Sequence, residues 1–199
     1  MDSPPAPPSS EPTRVTALEG LVVAISDDGA RVIHVDRGPS GSPAAAAYLT
    51  TYDVRTGRAI DRLKLDMSNN LNRARLRLVR ETFWKMNQYD PTPQLLSACS
   101  AHSPSQGLDI SDISVRFEFP RLQVTQSGRN VLTRSVAAWS YQAKDDKGRI
   151  DQDCVMRNAM VLNTVYLDHA SNVMVLLVGY CGSDMCPEPA DHPVITRLR

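Results

Sequence analysis

Short runs of β-branched and apolar residues, separated by turns that contain glycine, follow residue 18. The runs are 21–25, 30–36, 44–54 and 58–65. Such runs are typical of antiparallel strands that are joined by hairpin turns. In the turns SDDG and RTG, Gly29 and Gly57 supply the positive φ that the chain reversal requires. The pattern therefore predicts a four-stranded meander.

The hydrophobic period changes between Asn69 and Tyr89. An apolar stripe recurs there at spacings of three, four and three residues, and it consists of Leu76, Val79, Phe83 and Met86. This spacing is typical of an amphipathic helix. Ser68 or Asn69 can cap its start, and Pro91 follows its end. The sequence predicts a helix over about residues 69–89.

Residues 97–112 have no periodicity and many turn formers, which predicts a loop. Strand patterns then return at 113–119, 121–126, 131–143, 158–168, 173–180 and 193–199. The run 173–180, VMVLLVGY, is apolar at nearly every position, which predicts a central strand of its sheet. The predicted fold class is mostly β (α+β), with antiparallel hairpins and meanders in two β-rich halves, roughly ten strands and one inserted helix.

The N-terminal stretch differs in composition from the rest of the chain. It is rich in proline and serine and has no apolar residue larger than alanine between Met1 and Arg14. Such a segment cannot offset the entropy of ordering it, so residues 1–16 are predicted to be a disordered tether and residues 17–199 a single β-rich domain. The stretch lacks the pattern of a signal peptide. Either the protein is cytoplasmic with a flexible start, or a signal or lipid anchor lay upstream of Met1; we favour the second.

Charge and hydropathy restrict the classes of partner that the protein is expected to bind. The chain has 22 basic and 22 acidic residues, so it carries no overall field that would attract nucleic acid. No apolar run approaches the ~18 residues of a membrane-spanning helix. Nucleic acid and a transmembrane segment are therefore not expected, and any electrostatic partner must bind a local patch. The oligomeric state is left open.

The four cysteines predict two disulfides, which an exported protein would retain. Cys181 and Cys186 flank a short loop between two apolar runs, so they are the natural local pair. Cys99 and Cys154 would then form the companion bridge. Free thiols remain an alternative.

A metal site is a further alternative for the same loop. Cys181, Cys186 and His192 have the spacing C-x4-C-x5-H, which could hold zinc, although a second tight pair of ligands is missing. A zinc-dependent or hydrolytic enzyme with its site here, or in the loop around His102, is therefore an alternative function. No cofactor is expected, because the sequence contains no phosphate loop, nucleophile elbow or paired-carboxylate motif.

The predicted helix carries a basic face. Arg73, Arg77 and Arg80 recur at helical spacing and could bind phosphate, a lipid headgroup or an acidic partner. The alternative, which we favour from the sequence, is an ordinary solvated face in which Glu81 pairs with Arg77 or Lys85. No aromatic side chain that could stack on bases is interleaved there.

The order of these elements resembles an uncharacterised bacterial family of predicted secreted proteins over about residues 18–199. The resemblance is carried by the DDG turn, the segment YDVRTGRAI, the basic helix followed by prolines, and the C-terminal segments GRIDQDC, NAMVLNTVYLD and NVMVLLVGY. The loop CGSDMC is not part of the family's pattern. The family has no assigned activity, so the resemblance implies export, in the periplasm, the outer envelope or outside the cell, and names no catalytic residue. We expect an exported, non-catalytic module that binds a protein or an envelope component.

The disulfides are tested by titrating thiols in the native protein, purified without reductant. We expect no reactive thiol before reduction and all four cysteines to react after reduction and unfolding. Four reactive thiols in the untreated protein would show that the disulfide prediction is wrong and would remove the main support for export.

Overall fold

A computed structural model describes residues 14–15, 23–37, 47–65, 70–94, 105–136, 142–144, 150–155, 160–180 and 192–199. These residues contain one helix and fifteen strands, which confirms the mostly β fold class with a single helix. The first half comprises β1 (Val23–Ser26), β2 (Arg31–Arg37), β3 (Ala47–Asp53), β4 (Arg58–Lys64), α1 (Asn70–Thr82), β5 (Phe83–Lys85) and β6 (Asn87–Tyr89). The second half comprises β7 (Ser105–Ile110), β8 (Ile113–Glu118), β9 (Arg121–Gln126), β10 (Arg129–Ser135), β11 (Gln142–Lys144), β12 (Ile150–Val155), β13 (Met160–Asp168), β14 (Val173–Tyr180) and β15 (His192–Arg197).

The strands form three larger antiparallel sheets and one two-stranded pair, β11 with β12. The helix-side sheet has the order β4-β3-β2-β1-β5 and contains the predicted meander. The central sheet has the order β15-β14-β13-β6, and the outer sheet has the order β10-β9-β8-β7. The one described helix has 13 residues, and none of the described helical structure is long and apolar enough to cross a bilayer.

Three apolar clusters define the layers. The first joins α1 to the helix-side sheet through Val79, Ala24 and Ile33. The second joins the opposite face of that sheet to the central sheet and includes Val23, Ile25, Val32, Tyr166, Val175 and Leu177. The third joins the other face of the central sheet to the outer sheet and includes Val115, Phe117, Leu122, Leu162, Leu176 and Val178. The order of layers is therefore helix, helix-side sheet, central sheet and outer sheet.

Strand β14 is buried on both faces, as the apolar run 173–180 predicts. Alternate side chains enter different clusters, because successive residues of a strand point to opposite faces. Val173, Val175 and Leu177 face the helix-side sheet, whereas Met174, Leu176 and Val178 face the outer sheet.

A bulge in strand β13 keeps apolar side chains on the same face of the sheet before and after the extra residue. The pairing with β14 shifts between Leu162 and Thr164, so Asn163 is the extra residue. Because one extra residue reverses the alternation, Leu162 before the bulge and Val165 after it both face the outer sheet. The bulge explains why the sequence of β13 does not alternate.

The helix ends earlier than the predicted boundary at about residue 89. It stops at Thr82, whose hydroxyl donates to the carbonyl of Leu78 at 2.8 Å. The next residues form β5, which pairs with β1, and Phe83 and Trp84 suit a strand because aromatic side chains pack well on a pleated surface. The spacing of Phe83 and Met86 therefore imitates a helical stripe, although Met86 packs in the cluster on the opposite face of the sheet.

The prediction of a loop at 97–112 is wrong for residues 105–110, which form β7. Gln106 in this strand is 1% exposed, and its side-chain amide binds the backbone of Leu162 in β13. The Oε1 atom accepts from the Leu162 N–H at 2.7 Å, and Nε2 donates to the Leu162 carbonyl at 3.0 Å. The amide thus pairs with both the N–H and the carbonyl of Leu162 at the edge of β13. Either group would be costly to bury without a partner. A buried glutamine gives no hydrophobic signal, so the pattern misses the strand.

The predicted tether boundary at residue 16 also lies too far along the chain. Arg14 forms an antiparallel bridge with Trp84, and Val15, which is 1% exposed, donates its N–H to the Phe83 carbonyl at 3.3 Å. The Arg14 guanidinium also donates to the carbonyl of Glu81 at the end of α1. A cation at this end of a helix is favourable because the terminal carbonyls carry partial negative charge.

Two turns have the glycine conformations that the sequence predicts. Gly29 has φ 64° and Gly57 has φ 65°. Gly29 is also in close contact with the turn between β13 and β14, because an added Cβ would lie 2.9 Å from Cβ of Ser171. Gly128 offers a comparison, since its φ is 74° and nothing lies within 4 Å of its would-be Cβ.

The contact between the two turns is tested by comparing Gly29→Ala with Gly128→Ala in urea unfolding. Both variants should lose about 1 kcal/mol from the positive φ. Gly29→Ala should lose about 1–3 kcal/mol more because its methyl group collides with Ser171. Equal losses in the two variants would contradict the close packing of these turns.

Candidate binding surface on the helix and strand β4

The most strongly perturbed histidine belongs to the core. His34 lies opposite Val23 on β1 and Thr50 on β3, so it shares the face that packs on the central sheet. It is fully buried, and neither ring nitrogen has a hydrogen-bond partner among the described residues. Burial lowers the pKa of His34 from 6.5 to about 4, because the charged ring would lose its hydration. His34 is therefore a neutral core residue at pH 7.

The other described histidines lie apart from it. Nε2 of His169 is 3.3 Å from the hydroxyl of Tyr89. The pKa of His192 is lowered by burial and by the nearby charge of Arg134. A positive charge beside His192 opposes the binding of a cation there. In the described part of the chain, no group of three or more histidine, cysteine or acidic side chains is placed to hold a metal ion.

Three carboxylates with lowered pKa values serve local structure. Asp28 accepts from the Ser26 hydroxyl at 2.5 Å and the Ala30 N–H at 3.0 Å, and these bonds lower its pKa. Asp53 accepts from the hydroxyl of Thr56 at 2.7 Å, and this bond and one from the Thr56 N–H lower its pKa. Hydrogen bonds from Arg116 and Ser114 lower the pKa of Asp109. All three favour the ionised form because the donors stabilise it.

Helix α1 presents the predicted basic face to solvent. Arg73, Arg77 and Arg80 are exposed and lie on one side of the helix, next to the side on which Leu76 and Val79 are buried. Arg77 Nε is 3.0 Å from Oε1 of Glu81, which is the pair that the solvated-face alternative predicts. Lys85, the other partner predicted for Glu81, lies beyond the helix in β5. An exposed pair of this kind contributes about 0.3–0.5 kcal/mol, so it leaves the arginine available to a partner.

The basic surface extends from α1 onto β4, the edge strand of the helix-side sheet. Nη1 of Arg75 on the helix is 3.4 Å from Oδ2 of Asp61 on β4, which places the two elements side by side. The side chains of β4 are exposed except for Leu63, which is half-buried. Together, α1 and β4 carry seven basic and two acidic residues. Arg62 and Lys64 pair with Thr50 and Tyr48, so they point to the opposite face of the sheet from α1. We call the surface on the helix side the basic face: Arg58, Asp61, Arg73, Arg75, Arg77, Arg80 and Glu81.

The end of the helix is held by a cluster around Arg14. Its guanidinium lies 3.9 Å from the centre of the Trp84 ring and 2.9 Å from Oδ1 of Asp27. Trp84 Nε1 donates to the same carboxylate oxygen, and the Asp27 N–H donates to the Thr82 carbonyl at 3.0 Å. The stacking and the charge-assisted bonds fix the C-terminal turn of α1 and hence the direction of the basic face.

Two open grooves also lie on the described surface. One, of about 350 Å³, adjoins the helix and is lined by Ser26, Asp27, Asp28, Arg31, Leu78, Thr82 and Phe83. The other, of about 440 Å³, lies at the edge of the outer sheet and is lined by Glu118, Phe119, Pro120, Arg121, Thr133, Arg134 and Ser135. The charged side chains of the first groove are two acidic and one basic, and those of the second are one acidic and two basic, so neither has the number of basic residues that the basic face has.

The remaining predicted sites lie outside the described residues. Cys99, Cys181 and Cys186 are among them, and of Cys154 the structure gives only its place in β12. The loop with His102 is outside as well. The disulfides and the zinc alternative therefore stay predictions, with His192 the one described member of the zinc set.

The part of the basic face that β4 contributes is not evident from the sequence. Arg58 belongs to a predicted strand, and no local pattern shows that this strand is an edge beside the helix. The run RAIDRLKL does hold a signal, because charged residues are common on exposed edge strands.

No protein-family model matches the chain, and neither a curated protein nor a solved structure matches it. The resemblance to secreted bacterial proteins therefore remains a prediction.

The core position of His34 makes a prediction about pH. Its pKa is lower in the folded than in the unfolded protein, so the unfolded state binds more protons as the pH falls below 6.5. The free energy of unfolding should decrease between pH 6.5 and about 4, by about 3 kcal/mol in all, from this residue.

Urea unfolding across this pH range is the measurement, with His34→Leu as the comparison. The variant should lack this contribution and should be at least as stable at pH 7, because it removes two unpaired buried nitrogens. Parallel pH profiles for the two proteins would mean that His34 is paired or hydrated in solution.

Proposed function

We propose that this protein is an exported, non-catalytic binding module that attaches through its basic face to an acidic component of a bacterial cell envelope. The observation that carries the proposal is the separation of charge. The whole chain has equal numbers of basic and acidic residues, whereas the basic face has five basic residues against two acidic ones. A local field of this kind attracts an acidic partner even though the net charge is zero.

The support for export is of a different kind. It rests on the Pro/Ser-rich N-terminal stretch, the even number of cysteines and the resemblance to secreted proteins. Arg14, at the end of that stretch, is fixed against the C-terminal end of α1. Residues 1–13 of the predicted tether lie outside the described residues. A tether that joins the fold at Arg14 would place its point of attachment beside the helix that carries the basic face.

Retention on an immobilised polyanion tests the basic face. At pH 7 and low salt the wild-type protein should be retained despite its zero net charge, and it should elute as salt screens the charges. Arg77→Glu with Arg80→Glu should elute at markedly lower salt or fail to bind.

The matched control is Arg121→Glu with Arg129→Glu, which makes the same change in charge on the outer sheet, at the other side of the layered fold. It should elute close to the wild type. Equal effects of the two double variants, or no retention of the wild type, would overturn the proposal. Thermal unfolding of each variant checks that the fold is intact.

A further inference from the structure

Two large hydrophobic side chains are more than half exposed in the described part of the chain, and both belong to the elements of the basic face. Ile60 on β4 is 57% exposed and Leu78 on α1 is 58% exposed. An isolated exposed apolar side chain is ordinary. Here, however, both lie where the basic residues are concentrated.

The two side chains flank one contact between the elements. Ile60 directly precedes Asp61, whose carboxylate is 3.4 Å from Arg75, and Leu78 lies one helical turn beyond Arg75. Ile60 is the extra residue of a β-bulge, because Thr51 pairs with Asp61 and Tyr52 pairs with Ala59. A bulge re-aims side chains at a sheet edge, and it leaves Ile60 without a cross-strand neighbour to cover it.

We propose that the basic face docks onto an anionic lipid bilayer, with Ile60 and Leu78 inserted at the boundary between headgroups and acyl chains. This proposal rests on the proposed function and identifies the acidic partner of the basic face as the lipid bilayer. Basic residues near an anionic leaflet and apolar side chains that enter it are the two contributions that hold peripheral proteins on membranes. Arginine suits the first role because its planar guanidinium binds phosphate with two hydrogen bonds.

A bilayer fits this surface better than an acidic protein does. Binding between proteins is dominated by anchors that fill well-packed, desolvated pockets. Ile60 is instead exposed among charged side chains on an edge strand, and Leu78 lines an open groove that also contains charged side chains. Asp27 and Asp28 line the same groove as Leu78, and each has an arginine beside it, Arg14 and Arg31 respectively. Glu81, one helical turn beyond Leu78, is paired with Arg77.

Cosedimentation with lipid vesicles tests the proposal on the full chain. Vesicles of phosphatidylcholine alone are compared with vesicles that contain phosphatidylglycerol, at low and at physiological salt. We expect binding only to the anionic vesicles, weaker at the higher salt. Arg77→Glu with Arg80→Glu should reduce binding about 25-fold or more, since each basic residue lost near the surface costs about fivefold.

The variant Ile60→Ser with Leu78→Ser separates insertion from charge. It should reduce binding to anionic vesicles by about fivefold for each residue, because apolar burial is lost, and it should leave retention on the polyanion unchanged. The control Arg121→Glu with Arg129→Glu should bind vesicles as the wild type does.

The outcomes distinguish this proposal from the proposed function. Retention on the polyanion without vesicle binding would overturn the bilayer and point to an acidic protein or polymer. Vesicle binding that the serine variant does not weaken would overturn insertion and with it the proposed docking mode. Failure to bind either the polyanion or the vesicles would overturn both proposals.

Discussion

The structure depends on a central sheet that is buried on both faces. Residues 173–178 of β14 are at most 1% exposed, and their side chains alternate between two separate apolar clusters. A sheet of this kind is stable only if a layer covers each face, because an uncovered face would expose a continuous apolar surface. The helix-side sheet and the outer sheet provide these layers. The central strands are therefore not available to a partner, and contacts must be made by the outer layers and the edges.

Polar contacts align the layers that apolar packing holds together. Gln106 binds both backbone groups of Leu162, which joins the outer sheet to the central sheet. On the other side, Arg197 of β15 donates to the Gly29 carbonyl at 2.9 Å, which joins the central sheet to the first turn. Hydrogen bonds to buried partners have strict geometry, so they select one alignment among the many that apolar packing alone would allow. The position of α1, and thus of the basic face, follows from this alignment.

The sequence predicts which helices and strands form better than it predicts which of them lie next to one another. The meander, the central strand β14 and the presence of one helix follow from periodicity, because that signal is local. The end of the helix at Thr82 could not be read in this way, since pairing of β5 with β1 decides it. Strand β7 was missed because Gln106 occupies a buried position where an apolar residue is expected. Of the basic face, the arginines of α1 were predicted from helical spacing, but β4 joins them through an ion pair between residues 61 and 75, which no local pattern contains.

We propose that binding takes place on the layer farthest from the outer sheet, which carries the basic face and the exposed side chains of Ile60 and Leu78. The most direct test is hydrogen–deuterium exchange, followed by mass spectrometry, of the protein with and without anionic vesicles. Protection confined to peptides from α1 and β4, with β8 and β9 of the outer sheet unchanged, is the result that the account predicts. Protection of β8 and β9 with α1 and β4 unchanged would place the binding surface on the opposite side of the molecule and contradict it.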